Sequence, residues 1–178
     1  MRKLRNSELG RLTVEQYKKS AKSSAVIVLD NVRSQHNVGS VFRTADAFAV
    51  KKIFLCGITA CPPAREILKT ALGATESVEW SYYSSTPEAV TELKNQGYTL
   101  AAIEQTAGSI DLGEFVRLKG KKYALIFGHE VNGVDQSVLD ICDLCIEIPQ
   151  FGTKHSFNIA VSAGIVLWEL DRQKRGGI

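Results

Sequence analysis

Five consecutive apolar residues, Ala25-Val26-Ile27-Val28-Leu29, leave no polar position for solvent, and this run constrains the fold more than any other feature of the sequence. A strand with one wet face alternates polar and apolar residues; an unbroken run marks burial on both faces, the property of parallel sheets covered by helices. Mostly apolar runs recur at 52–56, 99–103, 123–127 and 144–148, and Val78-Glu79-Trp80-Ser81-Tyr82 is strand-like. Helical patterns lie between them. Thr13-Val14-Glu15-Gln16 has capping-box spacing and opens a helix towards Lys19. Val38 to Phe48 reads as a helix with Asn37 as its N-cap, and Ala64 to Leu72 as another with Gly73 near its end. Thr86-Pro87 opens a helix that Gly97 closes, and Ser156 to about Arg172 forms a long terminal helix. The alternation predicts an α/β domain, a mostly parallel sheet with helices on both faces. With 178 residues, 44% hydrophobic and 23% charged, one such domain accounts for residues 25–178, preceded by a basic extension over 1–24 that carries a helix.

The ends are basic. Residues 1–24 hold seven Lys or Arg against Glu8 and Glu15, and Arg172, Lys174 and Arg175 close the chain without an acid. Basic ends on a mildly acidic body fit phosphate-bearing partners, and they equally fit solubilising tails. No uncharged apolar stretch reaches 18 residues, so no membrane span is expected. The basic N-terminus is not followed by an apolar segment, so no secretory signal is read there and a cytoplasmic location is expected. Cys56, Cys61, Cys142 and Cys145 are too few for a disulfide scaffold. The Cys142-x-x-Cys145 spacing alone does not make a zinc site, which needs four convergent ligands, so no metal is expected and the thiols read as structural.

Ligands of open α/β sheets sit beyond the carboxyl ends of the strands. Three loops so placed hold the unusual residues: 30–44, 128–134 and 149–158. Each has a purely structural reading. Asn37 is an N-cap, Gly39 a close-packing residue, Gly128 and Gly133 chain reversals, and Ser156 and Asn158 the polar start of a helix. Glu130 resists that reading, because a carboxylate at a buried strand end needs a partner. The helix after Asn158 is apolar around most of its circumference, so it is buried in its own domain or against a second subunit. No glycine fingerprint of a dinucleotide fold, no P-loop and no nucleophile elbow occurs.

In order along the chain, Asn37-Val-Gly-Ser-Val-Phe-Arg43-Thr44, Gly128-His-Glu130-Val-Asn-Gly133, and Ile148-Pro149 leading to Ser156-Phe-Asn158 each follow a predicted strand. Over residues 25–172 the chain resembles the SpoU/TrmH family of RNA ribose 2′-O-methyltransferases, within the SPOUT superfamily. The resemblance implies a sheet whose C-terminal part is threaded into a deep trefoil knot, an exception to the rule against knots. It also implies S-adenosylmethionine as methyl donor and a homodimer with the terminal helix in its interface, RNA lying across both subunits. Carried over, Gly128, Gly133, Ile148 and Phe157 cradle the cofactor, with Ile103 to Gln105 at the same pocket. Arg43 becomes the catalytic residue and Asn37 orients it. Arg43 either accepts the ribose 2′-hydroxyl proton, which its strongly basic guanidinium makes demanding, or grips the adjacent phosphate. Glu130 holds Arg43 or Asn37, and Ser156 and Asn158 fix the ribose or the cofactor. Gln150, Phe157 and Ile159-Ala160 depart from the family's usual Met, Leu and Val-Ser, which alters the lining of the pocket but not the polar set.

Arg33 and Lys154 are candidates for RNA phosphate contact, and His36 and His155 for the RNA face. Tyr82-Tyr83 either stacks a base or packs on the core. The reading is methylation of one ribose 2′-hydroxyl in tRNA or rRNA. The alternatives are a SPOUT enzyme that methylates a base, a knotted RNA-binding or assembly factor without turnover, and, more remotely, a nicotinamide-linked oxidoreductase.

Overall fold

The apolar runs become the strands of one sheet. In the computed structural model, which describes residues 1–176, β1 (Ala25–Asp30), β2 (Lys52–Cys56), β3 (Glu79–Tyr83), β4 (Tyr98–Ile103), β5 (Ile110–Asp111), β6 (Lys122–Phe127) and β7 (Leu144–Glu147) lie side by side in the order β3-β2-β1-β6-β4-β7-β5. Every pairing is parallel, with Leu29 opposite Phe127 and Ile103 opposite Ile146. Residues 177 and 178, the end of the expected domain, lie outside the described residues.

All six residues of β1 are buried, and successive side chains serve opposite faces. Ala25, Ile27 and Leu29 join a core beneath α1 (Val14–Lys19), α2 (Gln35–Ala47), α3 (Arg65–Ala71), α4 (Ala74–Ser77) and α7 (Ile159–Gly176). Val26 and Val28 join a second core beneath α5 (Thr86–Asn95) and α6 (Gln136–Leu139). Helices therefore cover both faces, as the unbroken runs require. Phe42 and Phe127 are among the largest fully buried side chains, each stabilising the fold by about 1.5–3 kcal/mol through burial.

Two helix starts differ from expectation, and both differences shape the site. α2 begins at Gln35, three residues before Val38, because Ser34 rather than Asn37 is the N-cap: its hydroxyl accepts the Asn37 N–H at 3.3 Å. Asn37 thus sits inside the first turn with its amide free for other partners. α7 begins at Ile159 rather than Ser156, with the Asn158 side-chain oxygen accepting the Ala160 N–H at 2.9 Å. The capping box at Thr13 and Gln16 forms as expected.

The inner stripe of α7, Ala163, Val166, Leu167 and Leu170, is buried against the core under α2. Buried Gln173 anchors its far end, donating to the Phe115 carbonyl and accepting the Arg117 N–H, both at 2.7 Å. Val161 and Trp168, seven residues apart on the outward face, remain about half exposed.

Candidate active site

Acidic residues end several strands, and two of them fix the loop after β6. Asp30, at the end of β1 and 1% exposed, accepts hydrogen bonds from the Asn31 amide (2.9 Å), the Thr86 hydroxyl (2.6 Å) and the Asp135 N–H (3.0 Å). Glu104, just past β4, accepts the Gln105 N–H (2.9 Å) and the Val134 N–H (3.0 Å). Between these anchors the chain turns back on itself: His129 and Gly133 exchange N–H and C=O at 2.9 Å each way. The His129 Nδ1 accepts the N–H groups of Val131 (3.0 Å) and Asn132 (3.3 Å), so the ring proton belongs on Nε2. A Cβ on Gly128 would lie 2.1 Å from the Gly133 carbonyl carbon, and one on Gly133, at φ +69°, would meet the Glu104 carboxylate. Both glycines are required by close approach as well as by the turn.

The turn aims Glu130 at the start of α2. Its carboxylate accepts the N–H of Arg33 (3.0 Å), the N–H of Ser34 (2.8 Å) and the side-chain amide of Asn37 (3.0 Å). A carboxylate only accepts, so Asn37 must turn its NH₂ towards Glu130 and its oxygen away. That oxygen accepts the Asn158 amide at 3.0 Å. One relay, Glu130–Asn37–Asn158, therefore joins the β6 loop, the start of α2 and the cap of α7. Burial pushes the Glu130 carboxyl up, but the Arg33 and Ser34 N–H groups and the Asn37 amide outweigh it, and the group titrates below the usual carboxylate range. A negative charge at a helix N-terminus is favourable in its own right.

Beside the relay lies a cavity of about 490 Å³. Ile103, Gly128, Gly133, Ile148 and Phe157, all expected around a cofactor, line it together with Glu130, Ser156, Asn158 and His155. Gln105 also lines it and donates to the His155 carbonyl at 2.9 Å. Apolar walls from Phe127, Ile148 and Ile159 face three carboxylates, Glu104, Glu130 and Glu147, with no Lys or Arg among the lining residues. This set suits a ligand with a flat apolar part and net positive charge, and S-adenosylmethionine, with its adenine, sulfonium and ammonium, is such a ligand.

Not every expected residue converges here. Glu130 holds Asn37 and not Arg43. Arg43 stands six residues beyond Asn37 on α2, rotated by about 240° and advanced about 9 Å; it is exposed, lies off the cavity, and has no hydrogen-bond or ion-pair partner among the described residues. Arg33 contributes its backbone N–H, and its side chain points out with Lys154. His36 pairs with Glu66 of α3. Gly39 does pack closely, since a Cβ there would meet the Ile67 carbonyl at 2.3 Å. The tyrosine pair divides: Tyr83 lies against Phe54 (ring centroids 5.6 Å apart) and Tyr82 is exposed. Among the described residues no three His, Cys, Asp or Glu cluster as metal ligands, and no helix is long and apolar enough to cross a membrane. Glu104 lines the cavity, as expected of the segment Ile103 to Gln105, but its role as an anchor, and that of Asp30, is one that the sequence does not assign, although the argument applied to Glu130 covers both.

Fold and cavity together define a parallel α/β protein with a ligand site at the carboxyl edge of its sheet. Residues 24–168 match the SpoU rRNA Methylase family, and the chain belongs to it. A TrmH family tRNA/rRNA methyltransferase homologue from Staphylococcus epidermidis is 29% identical over 163 residues, covering 90% of this chain and 64% of that protein. The chain thus spans just under two thirds of the length of the staphylococcal relatives it matches. Among solved structures, an AdoMet-bound rRNA methyltransferase from Sinorhizobium meliloti is similar at a TM-score of 0.78 and 27% identity, over 88% of this chain and 59% of the other. A chain whose structure concerns 2-OH methylation of C/U34 on tRNA is similar at 0.74 and 26%, over 85% of this chain and 97% of the other.

Proposed function

We propose that this protein is an S-adenosylmethionine-dependent methyltransferase acting on the 2′-hydroxyl of one ribose in tRNA or rRNA. The observation that carries the reading is the Glu130–Asn37–Asn158 relay at the edge of a cavity whose charge and shape suit that donor. The bound AdoMet of the Sinorhizobium neighbour and the tRNA 2-OH chemistry of the other support it.

When bound, the donor supplies an electrophilic methyl group on a cationic sulfur. The chain's own contribution is positioning, which alone is worth several powers of ten in rate. Gly128, Gly133 and Ile148 form the cradle, with the carboxylates of Glu104, Glu130 and Glu147 favouring a cation. Asn37 and Asn158 are locked by one another and by Glu130, so Asn158 presents a fixed side chain to the cavity. The Ser156 hydroxyl, exposed and without a partner among the described residues, is available to the ribose. A guanidinium keeps its proton and grips phosphate with a planar fork, so Arg43, outside the cavity, serves as the anchor for the adjoining phosphate. Val161 and Trp168 give α7 an apolar outer stripe for a second copy of the chain, in keeping with a knotted homodimer.

Incubation with unmodified tRNA and rRNA and methyl-labelled S-adenosylmethionine is expected to label one RNA class. Calorimetric binding of the donor without label in any RNA overturns catalysis; absence of binding overturns the whole reading.

A further inference from the structure

A second cleft, of about 800 Å³, opens on the other side of the 129–133 turn. Glu104, Gln105, His129, Asn132 and Gly133 line both cavities, so a single turn of chain separates them. Three carboxylates also line the second cleft: both oxygens of Asp30 and of Glu104 are occupied by the contacts described above, whereas Asp135 takes the N–H (2.9 Å) and hydroxyl (2.6 Å) of Ser137 on Oδ1 alone and leaves Oδ2 open. No Lys or Arg lines it, which leaves nothing to neutralise a phosphate.

Apart from that one carboxylate oxygen, the groups left without partners among the described residues are neutral. They are the Asn132 side-chain amide, the Thr106 hydroxyl, the side-chain oxygens of Gln105 and Gln136 (whose nitrogens donate to His155 and Asp140) and the His129 Nε2–H, whose Nδ1 is already occupied. Ile58, 64% exposed, adds an apolar surface. Neutral donors and acceptors beside an apolar contact, with one carboxylate oxygen able to accept from a ring N–H or amino group, match the edge and face of an unstacked base, the feature through which RNA sequence is read.

We infer that this cleft takes an unpaired nucleobase of the RNA, within one nucleotide of the ribose presented to the first cavity. The inference rests on the RNA methyltransferase reading and adds to it a place where base identity is read. Thr106 and Gln136 line the second cleft alone, so they probe it without touching the cofactor cavity.

The test is an amide NMR titration of the full chain saturated with S-adenosylhomocysteine. The probes are the four nucleosides, a dinucleotide carrying the preferred base, and ribose 5-phosphate. Saturation itself is expected to move Gly128 and Ile148; if it moves neither, the proposed function fails, while the nucleoside additions still report on the cleft. One nucleoside is expected to move Thr106, Asn132 and Gln136, with ribose 5-phosphate moving none of them and the dinucleotide binding more tightly. Thr106→Val and Gln136→Ala are each expected to weaken that binding about fivefold, the value of one net hydrogen bond. Equal shifts from ribose 5-phosphate, unchanged affinity in both variants, or a dinucleotide no tighter than its nucleoside would overturn the inference.

Discussion

Glu130→Gln tests the relay most sharply, because it keeps the shape of the side chain and removes one acceptor and the charge. With its oxygen towards Ser34 and Asn37, the glutamine sets its NH₂ against the Arg33 N–H, donor to donor; turned over, it loses two bonds instead of one. The first orientation is the cheaper. It forfeits one charge-assisted bond, about 1.5 kcal/mol at this partly buried position. The two retained bonds fall from charge-assisted to neutral strength, together about another 1.5 kcal/mol. Urea unfolding at neutral pH is therefore expected to show a loss of about 3 kcal/mol with an unchanged m-value. The folded-state carboxyl titrates below its unfolded value, so its contribution is present above about pH 4.3, the unfolded value, and disappears as pH falls through the folded one. The gap between wild type and variant should accordingly close in acid. A variant within about 0.5 kcal/mol of wild type, inside the range of an ordinary surface substitution, or a gap constant from neutral to acid pH, would refute the reasoning.

Other consequences follow from the same geometry. Arg43→Ala should abolish methyl transfer and Arg43→Lys should retain part of it while leaving donor binding unchanged; substantial turnover in both removes Arg43 from the reaction. Gly39→Ala sets a methyl group against the Ile67 carbonyl and should cost about 1–3 kcal/mol by overpacking, and an unchanged denaturation midpoint would show that α2 and α3 can part. Residues 1–12 carry Arg2, Lys3, Arg5 and Arg11 against Glu8 and precede the buried Tyr17, so their removal should spare the fold. It should also weaken RNA binding and reduce the log–log salt slope by about 2–3; an unchanged slope refutes an RNA role for this segment. Burial pushes the Cys56 and Cys142 thiols up to about 12, so both should resist alkylation in the native chain at mildly alkaline pH and react once unfolded.

The centre of the sheet was legible because β1, β2, β4 and β6 are mostly buried on both faces: an all-apolar run such as 25–29 has no other stable placement in an α/β domain. The two-residue β5 and the four-residue α4 and α6 are too short to carry a period and were not foreseen. The start of α2 was misplaced because Ser34 and Asn37 are both good N-caps, and only the Glu130 carboxylate, 93 residues away, draws Asn37 into another role. The cavity residues were expected from the resemblance, and their convergence reflects the adjacency of β4, β6 and β7. The displacement of Arg43 from Asn37 follows from helical phase once the start of α2 is known. Asp30 and Glu104 fall in segments expected at the site, but their anchoring roles depend on N–H groups of residues 134 and 135, which only the folded loop brings to them.

Nucleoside mass spectrometry of tRNA and rRNA, after reaction with isotopically labelled S-adenosylmethionine and with Arg43→Ala as the control, tests the central claim most directly. The account predicts a single nucleoside labelled on its ribose 2′-oxygen and absent from the control. A label on a base, or a ribose label that persists undiminished in the control, would contradict it.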